Sequence, residues 1–76
     1  MQTEKQLADL KEGESAYIKE INISGAMRRR LRDLGLITGT RVKCSFKSPC
    51  GDPVAYIIRG AVIALRSEDS RRISVK

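Results

Sequence analysis

S-G-A-M-R-R-R-L-R-D-L-G-L-I-T-G-T, residues Ser24 to Thr40, holds the one strong helix signal in this chain of 76 residues. Ser24 suits the N-cap, where a hydroxyl accepts from an orphan amide of the first turn. Met27, Leu31 and Leu34 recur at i, i+4 and i+7 and form one narrow apolar face. At roughly 100° per residue, Arg28, Arg29 and Arg32 project from the other side. Gly35 then stands where a left-handed C′ residue belongs, a backbone that glycine adopts without a Cβ penalty. With Gly35 at C′, Leu36 is C″ and Leu31 is C3, the pair that makes the hydrophobic contact of this cap. The helix is therefore short, with its stop signal built in.

Outward from the helix the residues read as short β-strands. Upstream, residues 1–6 are expected to fray, Leu7 and Leu10 to anchor one helical turn, and Lys11-Glu12-Gly13-Glu14 to turn the chain. Ala16 to Ile21 predicts a strand, but Ile18 and Ile21 cannot share a face unless a bulge or the strand end reconciles them. Downstream, Gly39 supplies a turn, and Arg41 to Lys47 alternates Val42, Cys44 and Phe46 with polar residues, one buried and one wet face. S-P-C-G-D-P is a loop, in which Asp52 is read as bonding its own backbone. Val54 to Arg59 and Ala61 to Arg66 predict two strands joined around Gly60. Ser67-Glu68-Asp69-Ser70 predicts a capped turn or one helical turn, and Ile73 to Val75 a closing strand.

Five short strands with one short helix after the first predict a mainly β fold, a small five-stranded barrel. Closure suits so short a chain because it removes exposed edges. Five strands fit an SH3-like barrel and an OB-fold alike, and the SH3-like barrel is the expectation. Residues 1–76 read as one domain. A domain of this size buries only about 60% of its unfolded surface. Two cysteines, no histidine and no C-x-x-C pair leave no disulfide or metal staple to compensate. With 41% hydrophobic and 32% charged residues, the composition is that of a folded protein. The polar N-terminus lacks an apolar signal segment, and the longest apolar runs are too short to insert in a bilayer. A cytoplasmic protein with reduced thiols is expected.

The net charge of +6 is unevenly placed. Residues 1–24 carry three lysines against five carboxylates, whereas residues 25–47 carry seven basic side chains against Asp33 alone. Such a surplus offers a docking face for nucleic acid, an acidic protein or anionic lipid, or simply a solvated helix face. Catalysis is not expected, because there is no histidine, no G-x-S-x-G and no phosphate loop. No metal site or cofactor is expected either: Cys44 reads as a core residue, and the thiolates of Cys44 and Cys50 with Asp52, three ligands without a histidine, make a poor site. Nucleic-acid binding ranks behind a protein partner, since stacking aromatics are scarce and Phe46 reads as buried. A phosphate-only binder would use Arg28, Arg29, Arg32, Arg41 and Lys43. A transition-metal-binding regulator is the third class, and a second copy of the chain is also left open as a partner.

Three segments together resemble a known family: R-L-R-D-L-G-L-I-T-G-T-R-V, then G-D-P-V-A-Y-I-I-R-G, then A-L-R-S-E-D-S-R-R-I-S-V. In this order and spacing they resemble the ferrous iron transport protein A (FeoA) family, and are similar to the SH3-like C-terminal domain of iron-dependent repressors. The resemblance covers Leu7 to Val75, with Ser70 standing where a small apolar residue is common. It implies an SH3-like barrel in the bacterial cytoplasm that is not an enzyme. It also implies action with the membrane ferrous iron permease FeoB, whose cytosolic G-protein portion is the supposed partner. The lack of a repressor-type DNA-binding domain favours the transport accessory. The expected docking face is Arg28, Arg29 and Arg32 of the helix with Leu36 and Ile37 beyond its cap.

Overall fold

The computed structural model describes residues 5–76. A 3-10 turn, Leu7–Asp9, leads into β1, Ser15–Ile21, which is followed by the helix α1, Gly25–Asp33. Then come β2, Arg41–Lys47, β3, Val54–Ile58, β4, Ala61–Leu65, the one-turn helix α2, Ser67–Ser70, and β5, Ile73–Val75. All pairings are antiparallel, and the strands lie in the order β4-β3-β2-β1-β5. This is the mainly β, five-stranded arrangement expected, with its short helix after the first strand. β1 is the hinge of the sheet. Its first half, from Ser15 to Tyr17, pairs with β2, and its second half, from Ile18 to Ile21, pairs with β5.

The bulge that the isoleucines of β1 required is present. Ile18 faces Val75 but Glu20 faces Ser74, so Lys19 is the extra residue. The alternation resets there, which lets Ile18 be buried while Ile21 still packs against the core. A second bulge overturns an expectation. Cys44 pairs with Tyr56 but Phe46 pairs with Ala55, so Ser45 is inserted and everything after it changes face. Phe46 consequently points outward at 55% exposure, while Cys44 stays in the core.

The core joins Leu7, Leu10, Ile18, Leu31, Leu36, Val42, Tyr56 and Ile73 with their neighbours. Full burial of each leucine or isoleucine there contributes about 1.5–3 kcal/mol relative to exposure. Ser70 is buried with them, and its hydroxyl donates to the Ser67 carbonyl at 3.4 Å. The Tyr56 hydroxyl reaches the Leu7 carbonyl at 3.5 Å, tying the first turn to the core. The fraying expected over residues 1–6 lies outside the described residues for its first four positions. Lys5 and Gln6 are held, since the Val75 amide donates to the Lys5 carbonyl at 2.8 Å and Gln6 bridges to Ser74.

Asp52 also differs from expectation. Its carboxylate does not serve its own turn but accepts from the Ser67 amide at 2.8 Å and the Ser67 hydroxyl at 2.9 Å. It thereby satisfies the first turn of α2 from a distant loop, a cap supplied in space rather than in sequence. The β3–β4 connection is a two-residue turn in which Arg59 and Gly60 both have positive φ, at 52° and 84°. Ile58 and Ala61 close it as a pair, which gives the hairpin a type I′ geometry.

Candidate functional site

The C-terminal end of α1 positions everything around it. The Leu36 amide donates to the Leu31 carbonyl at 2.9 Å and the Gly35 amide to the Arg32 carbonyl at 3.0 Å. These are the two bonds of a Schellman motif, with Gly35 at φ 97° as its C′ residue. Leu31 and Leu36 are both buried, as the C3–C″ contact requires. The other end is plainer: Ser24 occupies the N-cap with extended backbone, but its hydroxyl makes no capping bond.

The helix rests on the barrel by a narrow footing. Leu31 is its one buried residue, with Met27 packed alongside. Leu34, expected on the apolar face, is 38% exposed, because the backbone has begun to turn into the cap at that residue. The rest of the helix surface is therefore open to solvent.

Of the expected docking residues, Arg28, Arg29 and Arg32 are exposed on one flank of α1 and border a shared depression with Gly25 and Ala26. The Arg28 guanidinium donates to the Ile21 carbonyl at 3.4 Å. Arg29 and Asp33 stand i, i+4, yet no ion pair joins them. Lys5 and Glu14, both described, form an ion pair at 2.6 Å. Arg29 and Arg32 thus make no ion pair with a described residue, while Glu20 lines a groove with Arg32. Ile37 is 44% exposed beside them and lines a groove of about 350 Å³ with Arg28 and Arg32. Leu36 lines the same groove from beneath. It is 0% exposed, because the cap that stops the helix drives the C″ side chain into the core.

Titratable groups elsewhere bear on structure. The Lys5 ammonium, with the Lys11 amide, holds the Glu14 carboxyl below its ordinary range. Burial pushes both the Cys44 thiol and the Tyr56 phenol up, so each is held neutral. Cys44 is accordingly a core residue and Cys50, exposed and unpaired, lies apart from it. Among the described residues no three His, Cys, Asp or Glu side chains converge as metal ligands. No helix among them is long and apolar enough to cross a membrane.

One residue near the site was not foreseen. Arg59 packs over the helix cap so closely that a Cβ on Gly35 would lie 2.7 Å from its Cδ. The sequence signal was available: Arg-Gly occupies a tight turn where Asn-Gly or Gly-Gly is the usual pair.

Comparison with known proteins places this geometry. The sequence model of the FeoA domain family matches residues 5–76. A Porphyromonas gingivalis protein described as an Fe(2+) transport protein A/Fe(2+) transporter FeoB fusion is 31% identical over 70 residues, which are 92% of this chain. The chain spans 8% of the length of that relative. Among solved structures, FeoA from Chlorobium tepidum superimposes with a TM-score of 0.88 at 34% identity, over 92% of this chain and 67% of that one. FeoA from Stenotrophomonas maltophilia, solved with zinc and described as a prokaryotic SH3 domain protein, has a TM-score of 0.81 at 29% identity over 93% of this chain and 88% of its own. A manganese-dependent transcriptional repressor has the same fold, with a TM-score of 0.83 at 19% identity over all of this chain and 37% of its own.

Proposed function

This chain belongs to the FeoA family, which is linked to ferrous iron transport, and from that premise we propose that it is a non-catalytic cytoplasmic accessory of a membrane ferrous iron permease. It acts by docking on the cytosolic G-protein portion of that transporter, and ferrous iron is the transporter's substrate. The observation that carries the proposal is the Porphyromonas relative, in which the matching segment shares one polypeptide with an Fe(2+) transporter. A domain fused to a transporter in one chain is readily its partner when the two are separate, since fusion only raises the effective concentration of an existing contact.

Arg28, Arg29 and Arg32, with exposed Ile37 beside them, supply the contact on this side. α1 makes a suitable docking element: anchored through Leu31 and its cap, it presents arginines that form no ion pair with the described residues. Arginine on a defined helix flank recognises carboxylates in bidentate geometry and steers association with an acidic surface. Replacing Arg28 and Arg29 together by glutamate tests the proposal by calorimetry against the permease's cytosolic portion. Binding is expected to weaken at least tenfold with the thermal transition retained. Wild-type affinity in the folded variant would overturn it.

A further inference from the structure

On the far side of Ile37 and Thr38 lies a second, larger groove of about 690 Å³, lined by Ile37, Thr38, Arg41, Lys43, Ile57 and Arg59. We infer that this groove binds an acidic protein segment, carboxylate side chains flanking an apolar one, and so extends the docking face from α1 onto the barrel. The inference rests on the docking reading and adds the chemistry of the partner's segment.

The groove collects cations from two places in the chain. Arg41 and Lys43 stand on the outward face of β2, and Arg59 enters from the β3–β4 turn. Ile57 lies directly across from Lys43 and forms the apolar floor with Ile37. Among the described residues no carboxylate lines the groove. The Arg41 guanidinium has only a 3.4 Å bond to the Ser15 hydroxyl, and no acidic partner neutralises Lys43 or Arg59 among the described residues. Three like charges around one groove repel each other.

Arg59 gives the strongest reason to assign the groove a ligand. It holds φ 52° in a turn that asparagine or glycine would form with less strain. Its methylenes lie against Gly35 at the helix cap. A cation held in place at the expense of local backbone preference is preorganised for an anion.

The floor selects among anions. A phosphate backbone would leave Ile37 and Ile57 uncovered, and no aromatic side chain lines the groove for a base to stack on. Carboxylates on either side of an apolar side chain satisfy both features. Ile37 and Thr38 also border the groove that reaches Arg28 and Arg32, in which Glu20 is the one carboxylate among the lining residues, so an occupant's acidic groups continue toward the two arginines.

The test is a titration of the intact, 15N-labelled chain with a synthetic peptide of alternating glutamate and aspartate around a central leucine. Saturable amide shifts are expected at Thr38 to Lys43 and at Arg59 and Gly60. The double variant Arg59→Asn with Lys43→Gln should weaken the affinity at least fivefold. Arg59→Asn alone suits the turn and should raise the melting temperature by about 4 °C, which separates lost binding from lost folding. Equal shifts from inorganic phosphate, or from the peptide's glutamine and asparagine counterpart, would overturn the inference. So would shifts absent from the groove. In each of those cases the Arg28 and Arg29 reversal, read on the permease portion, still decides the docking proposal separately.

Discussion

Gly35 is set first by its backbone and then by its neighbour. Its φ of 97° completes the Schellman cap, and the space where a Cβ would stand is taken by the Arg59 side chain. Gly35→Ala is therefore expected to destabilise the fold by about 1–2 kcal/mol, measured by urea unfolding. Cys44 and Tyr56 give a second prediction at this scale, in pH. Burial raises the ionisation range of both above that of the unfolded chain, so the unfolded chain loses protons first as pH rises. Their contribution is complete at neutral pH and is lost as pH climbs through the ordinary thiol and phenol ranges, from roughly pH 8.5 upward. Replacing Cys44 by alanine should flatten the start of that decline in a pH series of unfolding curves. Residues whose role is set by adjacent backbone were legible in sequence: Gly35 and its leucine pair follow from spacing alone. The Arg-Gly pair marks Arg59's unusual turn, but its packing over the cap was not legible, because its partner is 24 positions away in the chain.

At the scale of elements, strand alternation predicts correctly only until a bulge resets it. In β1 the conflict between Ile18 and Ile21 announces the bulge, since two isoleucines on opposite faces demand an explanation. In β2 the pattern V-K-C-S-F is already regular, so nothing in it betrays the inserted Ser45. The outward turn of Phe46 follows from pairing with β3, a tertiary fact. Asp52 teaches the same lesson for helix caps. Asp-Pro after glycine reads as a self-contained turn, but the carboxylate is in reach of α2 once the barrel forms. Asp52→Ala should cost about 0.5–2 kcal/mol, as loss of a capping carboxylate does. Faster amide exchange confined to Ser67 to Ser70 in that variant would locate the effect in α2.

For the whole molecule, charge and topology divide the work. The sheet order and a shared core hold α1 against the barrel by few side chains, which leaves its arginine flank free for a partner. The uneven charge was visible in sequence, as was the helix that carries most of it. Which apolar residue accompanies the arginines was not: Leu36 and Ile37 are neighbours in the chain, yet the cap buries the first and exposes the second. The joining of the α1 flank to Arg41, Lys43 and Arg59 through Ile37 and Thr38 is likewise a product of the fold. Docking of this face on the permease is tested by calorimetric titration of the permease's cytosolic portion with wild-type protein and with the Arg28→Glu, Arg29→Glu variant. At least tenfold weaker binding is expected from a variant that melts as wild type does; equal affinity of the two proteins would rule out docking through this face.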